Sequence, residues 1–218
     1  MQQTGQVSAP YNRFSGQSLD RVTALSDGVF AVAMTLLVLD LRVPVDVART
    51  EPDLADALAR LAPSGAAYLL SFTMLGTFWL AQHTLLGLCT RMDRTLTWWE
   101  LAFLFVVTLL PFTASILAEF LTVRVAVGLY WLNLLLLGLT LAGGSRHIAR
   151  RALVDTADRD KLKIFRRRIV VAQAAYGVAA LACLVDTYVS VGALALVQLY
   201  FIVSPRIPGL DRLLQPGS

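Results

Sequence analysis

The chain has 218 residues, of which 56% are hydrophobic and 16% charged, with a formal net charge of +4 and a mean hydropathy of +0.63. About a quarter of the residues in a soluble domain are charged, so this composition excludes a water-soluble globule and identifies an integral membrane protein. Its two cysteines, Cys89 and Cys183, show no pairing by spacing and no zinc pattern, and are expected as buried thiols.

A helix needs about 20 apolar residues to cross a bilayer. Six such runs occur, at 19–41, 64–88, 96–117, 121–142, 169–185 and 188–203. The expected fold is therefore an all-α integral membrane protein of six transmembrane helices, without a pore loop. Residues 1–17 are polar and rich in Gln, Ser and Gly. They lack the apolar core of a signal peptide and are expected as a disordered tail. The six-span unit is expected over 18–205, with a short tail at 206–218. Between the first two runs, Leu54, Leu58 and Leu61 recur at helical spacing and predict a short amphipathic helix. Pro111 predicts a kink in the third run. Tyr130 and Asn133 in the fourth, Gln173 in the fifth and Gln198 in the sixth are read as interhelical hydrogen-bonding groups. Trp98, Trp99 and Trp131 fit interfacial anchoring.

Loop charge sets orientation. The connection from Ser145 to Arg168 carries Arg146, Arg150, Arg151, Arg159, Lys161, Lys163, Arg166, Arg167 and Arg168, and the short loop 89–97 adds Arg91 and Arg94. Both connections fall on one side of a six-span chain. Acids outnumber bases in 42–63 on the other side. Both termini are thus expected in the cytoplasm of a multi-pass cell-membrane protein. Arg166, Arg167 and Arg168 are contiguous, so they read as an inside anchor and not as a voltage sensor spaced along a span.

The first run, RVTALSDGVFAVAMTLLVLDL at 21–41, opens with polar residues and ends in an apolar ladder. With about 100° per residue and Val32 at zero, Leu36 falls near +40°, Leu39 near −20°, Leu25 near +20°, Gly28 near −40° and Thr35 near −60°. Leu25, Gly28, Val32, Leu36 and Leu39 form one stripe, with Thr35 on its shoulder. Asp27 lies near −140°, on the far face. Ala24, Ala31 and Ala33 permit close helix contact. An ionisable group inside a span calls for a partner. Trp79 and His83 stand one turn apart in the second run, and Arg21 precedes Asp27 by one to two turns. Arg21, Ser26, Asp27, Trp79 and His83 are therefore a candidate network locking the first span to the second. Asp27 is alternatively a satisfied structural carboxylate with the stripe facing lipid. His83 is read as a neutral, hydrogen-bonded packing residue before a pH sensor.

Arg21 and Ser26-Asp27-Gly28 resemble the Arg-x-x-x-Phe-Ser-Asp-Gly signature of the transmembrane protein 175 potassium channels. FWLAQHTL at 78–85 is similar to that family's Trp-x-x-x-His motif, and LTWWELAFLFVVTLLPFTASIL at 96–117 to its third span. The likeness covers all six spans in order. It implies a homotetramer in which the first span of each subunit lines the axis. It also implies a hydrophobic constriction at Val32, Leu36 and Leu39, with Thr35 as a selectivity hydroxyl for K⁺. Arg21, Ser26, Asp27, Gly28, Trp79 and His83 become the structural motif around the pore helix. Leu25 stands where the motif has Phe, and Val32 where the constriction has a bulkier residue. Glu100 stands where the family has Asn, which would bear on ion preference or proton sensitivity. Its place near the start of the span favours a residue snorkelling at the cytoplasmic boundary.

Three functions follow as expectations: a K⁺-preferring cation channel, a proton-coupled transporter or proton-permeable channel using Asp27, His83 and Glu100, and a non-conducting scaffold. The sequence shows neither internal repeats nor broken midplane helices of the transporter kind. It holds no nucleophile–base pair, phosphate loop or metal-ligand cluster, so no enzyme, cofactor or resident metal is expected. The expected partners are further copies of the chain, lipid and monovalent cations, with no nucleic acid.

Overall fold

The computed structural model describes the backbone of residues 10–41 and 51–203, and the side chains of 19–41 and 54–203. Every regular element among the described residues is helical. In chain order these are α1 (Pro10–Leu36), α2 (Glu51–Arg60), α3 (Ala62–Gly87), α4 (Arg94–Thr108), α5 (Leu110–Glu119), α6 (Arg124–Arg151), α7 (Arg159–Leu181) and α8 (Thr187–Val203). Among the described residues five helical stretches are long and apolar enough to cross a membrane, counting α4 with α5 as one; α8 is apolar but has 17 residues.

α1 begins at Pro10, ahead of the boundary expected at residue 18. Proline suits a first helical position, where its missing N–H has no helical partner to lose. A 3₁₀ turn, Leu37–Asp40, ends the first span. The amphipathic helix expected before the second span is α2, which buries Ala57 and leaves Leu54 and Leu58 exposed. The tail expectations for 1–9 and 206–218, and the first part of the 42–63 connection, residues 42–50, lie outside the described residues.

The third span breaks at Leu109, between α4 and α5. Pro111 cannot donate a backbone hydrogen bond, so the helical ladder is interrupted one turn before it. The Leu109 amide donates to Val106 O at 3.2 Å, a tightened turn. Asn133 Nδ2 of α6 donates to the same carbonyl at 3.3 Å. The kink is therefore fastened from a neighbouring helix.

α6 is the central strut, packed along α4, α5 and α7, while α7 continues onto α8. Tyr130, Leu134 and Leu137 on α6 are fully buried with Met74 and Leu75 of α3, and Phe103 of α4. Close approach depends on two glycines. A Cβ at Gly143 would run into the Trp99 ring, and one at Gly138 into the Gln173 side chain. Van der Waals contact and interhelical hydrogen bonds, not water exclusion, hold helices together in lipid. The polar pairs fit that account. Tyr130 and Ser71 hydroxyls lie 3.2 Å apart. Tyr176 Oη donates to Gln198 Oε1 at 2.8 Å, and Gln198 Nε2 donates to Thr77 Oγ1 at 2.6 Å. Gln173 Nε2 donates to Leu134 O at 3.2 Å.

The basic connection read as a loop from Ser145 to Arg168 is mostly helix. α6 runs to Arg151 and α7 starts at Arg159. Hydropathy falls where the membrane ends, but a helix continues into water when its residues favour it, and Arg and Lys do. Arg150 and Arg151 also complement the negative end of the α6 dipole.

The turn after α6 is clasped to the loop before α4. Thr90 N donates to Leu153 O at 2.9 Å, and Cys89 pairs with Val154 in an isolated antiparallel bridge. Asp93 caps α4 by accepting from Leu96 N at 2.7 Å, and its other oxygen meets His147 Nε2 at 2.7 Å. Partial burial pushes the Asp93 carboxyl up, but the Leu96 amide, His147 and Arg151 outweigh it, and the net shift is below the ordinary value. A carboxyl lowered by folding contributes stability above its unfolded pKa, about 3.9, and that contribution is lost as pH falls through the folded value. Asp93→Asn keeps a capping side-chain oxygen but removes the charge that meets His147 and Arg151, and should cost about 0.5 kcal/mol. Hydrogen exchange at the Thr90 and Leu153 amides should then be faster than in the wild type at neutral pH, and the difference should close in strong acid.

Candidate functional site

α1 divides into two faces. Ser26, Phe30, Ala33 and Leu37 are buried, at successive spacings of four, three and four residues. They face α3 and α4, and the Phe30 and Phe103 rings meet with centroids 6.0 Å apart. The opposite face is bare. Val32 is 58% exposed, Leu36 44% and Leu39 59%, and Leu25 and Thr35 lie open beside them. Ala24, Leu25, Gly28, Val29, Val32, Ala33 and Leu36 line a shallow apolar groove that Thr108 of α4 closes on one side. Gly28 lies on that groove, with open space where a Cβ would stand. Thr35 Oγ1 donates to Val32 O at 2.8 Å, which leaves its oxygen lone pairs directed off the helix.

Two hydrogen-bond tracks tie α1 to its neighbours. In the outer one, Trp79 Nε1 of α3 donates to Asp27 Oδ1 at 2.8 Å. His83 stacks on Trp79, with centroids 5.6 Å apart and planes at 29°. Both Asp27 and His83 are exposed in the single chain. His83 makes no hydrogen bond among the described residues, so stacking takes the place of the hydrogen-bonded packing expected for it. Arg21 is exposed, and among the described residues it makes no ion pair with Asp27.

The inner track is buried. Ser26 Oγ donates to Gln82 Oε1 at 2.9 Å, and Gln82 Nε2 donates to Glu100 Oε2 at 3.1 Å. Ser26, Gln82 and Glu100 are each at most 3% exposed. Ser26 thus turns away from Asp27 and into a second network reaching α4. The boundary reading of Glu100 does not hold: its carboxyl lies inside the bundle. Glu100 shares a helical face with Leu96, Phe103 and Val107, all buried. Gln82 was not singled out from sequence, although a carboxamide within an apolar span is the signal that finds such residues.

Among the described residues no group of His, Cys, Asp and Glu could hold a metal ion. What the arrangement offers is an apolar helix face with a hydroxyl on its shoulder, held in azimuth by polar groups on its back.

Comparison with known proteins follows this geometry. The model of the family described as the endosomal/lysosomal potassium channel TMEM175 matches residues 21–111. A potassium channel of Chamaesiphon minutus is 32% identical over 200 residues, covering 89% of this chain and 97% of that protein. A potassium channel of Streptomyces collinus is 38% identical over 134 residues, covering 60% and 64%. The human endosomal/lysosomal proton channel TMEM175 is 42% identical over 74 residues, which span 31% of this chain and 15% of that protein. The crystal structure of a lysosomal potassium-selective channel TMEM175 homologue from Chamaesiphon minutus superposes with a TM-score of 0.77 at 30% identity, covering 86% of this chain and 97% of that one.

The two tracks should differ in strength. Interhelical hydrogen bonds in membranes contribute about 0.6 kcal/mol on average and at most about 1–2. Trp79→Phe removes one exposed donor and should cost about 0.6 kcal/mol. Gln82→Leu strands two buried groups and should cost about 2 kcal/mol. Equilibrium unfolding in mixed micelles would order the two variants.

Proposed function

The chain belongs to the TMEM175 family of ion channels, and on that footing we propose that it is a potassium-preferring cation channel whose pore is lined by α1 of four identical subunits. The family is one of channels and not of enzymes, and this chain is a multi-pass membrane protein. The observation that carries the reading is the bare face of α1. A span whose back is packed and hydrogen-bonded, and whose front is apolar and open, is made to meet copies of itself. The groove beside it, with Thr108, receives the neighbouring subunit.

Around a four-fold axis, Val32, Leu36 and Leu39 form successive apolar rings. A narrow apolar ring expels water, so it closes a pore without filling it. A small rotation of the helices widens it. An ion crossing such a ring sheds part of its shell. K⁺ holds water less tightly than Na⁺ and crosses more easily. Four Thr35 hydroxyls, each with free lone pairs, replace some of the lost water. Val32 is smaller than the residue usual at the first ring, so the narrowest point lies at Leu36 and Leu39. Asp27, Trp79 and His83 hold the azimuth of α1, and Arg21 and Gly28 belong to the same motif.

Six spans, with α8 as the last, bring both termini and the basic ends of α6 and α7 to the cytoplasmic side of a cell membrane. The partners are three further copies of the chain, lipid and monovalent cations. A proton-permeable channel is the second reading. It is favoured by the carboxyl buried at Glu100 and by the naming of the human relative as a proton channel.

The test is flux from proteoliposomes under a K⁺ or Na⁺ gradient, with proton flux read in parallel. K⁺ flux above Na⁺ flux, with a preference that falls and a leak that rises in Leu36→Ala, supports the proposal. Proton flux that dominates supports the second reading. Unchanged flux in Leu36→Ala removes that residue from the pore. Asp27→Ala should lower the yield of tetramer more than the flux per tetramer, measured by size-exclusion chromatography alongside the assay.

A further inference from the structure

The inner hydrogen-bond track has a direction. Ser26 donates to Gln82, and Gln82 donates to Glu100. An ionised carboxylate only accepts, and that fixes which way the Gln82 amide points. A protonated carboxyl can donate. The Gln82 amide can then turn over, accept from Glu100 through Oε1, and donate to Ser26 through Nε2. Ser26 would then send its own proton to a carbonyl one turn back on α1. Such back-bonding from serine bends a helix. The bend would fall at Ser26, between one and two turns before Val32 and on the opposite side of the helix from the bare face.

We propose that Glu100 is a proton-binding site that biases the pose of α1, and so the conduction pathway, through Gln82 and Ser26. This rests on the channel reading above. Geometry supports it at each step. Glu100 is 3% exposed. Among the described residues no Lys, Arg or His lies within ion-pair distance of it. A proton is then the ion that can neutralise it. Glu100 stands six residues into α4, about 9 Å along the helix from its start, on the membrane side that carries the basic helix ends.

The groups around it leave it as the titrating member. From the loop before α4, the Cys89 thiol is pushed up to about 12 by its own burial and then by the charge of Glu100, so it stays protonated. From α1, the group facing it through Gln82 is the Ser26 hydroxyl, while Asp27 is turned to Trp79. From α6, Ser145 donates to its own helix, and His147 is engaged by Asp93 at the start of α4. That His147–Asp93 pair and, on α3, the exposed His83 stacked on Trp79 are the competing ionisable groups.

The experiment measures K⁺ flux from proteoliposomes between about pH 5 and about pH 8, an interval that spans the titration of a buried carboxyl. In parallel, infrared difference spectroscopy follows the protonated carboxyl band. The wild type should change flux roughly fivefold or more, the lower range of coupling between sites. Glu100→Gln should flatten the response and remove the band. Ser26→Ala should flatten the response but keep the band, which separates coupling from proton binding. His147→Gln should keep both. A pH-invariant wild-type flux, a response that survives in Glu100→Gln, or a response that vanishes in His147→Gln would overturn the proposal. If nothing conducts, Leu36→Ala included, the channel reading fails. A band that Glu100→Gln removes would then still establish the proton site, and its absence would refute it.

Discussion

A carboxyl group cannot be left unsatisfied inside a helix bundle that itself sits in lipid, and the hydrogen bond from Gln82 to Glu100 is the constraint around which the first three spans are arranged. It brings α3 against α4 at one depth. Gln82 has a second polar end to satisfy, and Ser26 meets it from α1. Three helices are thereby joined at one level by two hydrogen bonds. Once Ser26 is turned inward, the helical period turns Phe30, Ala33 and Leu37 inward with it. Val32, Leu36 and Leu39 are left facing out. The apolar face and the buried polar track are two consequences of one azimuth.

The rest of the bundle holds that azimuth steady. α6 supports α4 through the close contact of Trp99 with Gly143 and through Asn133, which donates to Val106 O just before the Pro111 break. The clasp of Asp93, His147 and Thr90 fixes the start of α4, six residues before Glu100 begins its work. The exposed outer surface, with Val178 and Leu181 of α7 and Leu196 of α8, asks little of sequence beyond being apolar. Specific chemistry is concentrated on α1, α3 and the first half of α4, within the region 21–111 that matches the family model.

Much of this was legible in the sequence, because membrane helices write their burial in composition and period. The exposed stripe on α1 emerged from the 3.6-residue repeat, and the third-span break from Pro111. Asp27 and Trp79 could be paired because each needs a partner in lipid. Depth along a helix is easier to read than direction around it, and Glu100 illustrates the difference. Its nearness to the start of the span suggested a boundary residue. Its spacing from Leu96, Phe103 and Val107 put it on the buried face. Ser26 was assigned to the network of its neighbour Asp27, but adjacent residues on a helix point about 100° apart and need not share partners. The end of α6 was drawn too early because hydropathy reports the membrane and not the hydrogen-bond ladder.

The central claim is that the bare face of α1 lines the conduction pathway while the face one residue around is packed. Single cysteines at Val32, Leu36, Leu39 and Leu37, in a background with Cys89 and Cys183 replaced by serine, put that claim to the most direct test. A small thiol reagent applied during K⁺ flux should block the variants at Val32, Leu36 and Leu39 and leave the variant at Leu37 unaffected. Block at Leu37, or none at the other three, would contradict the account.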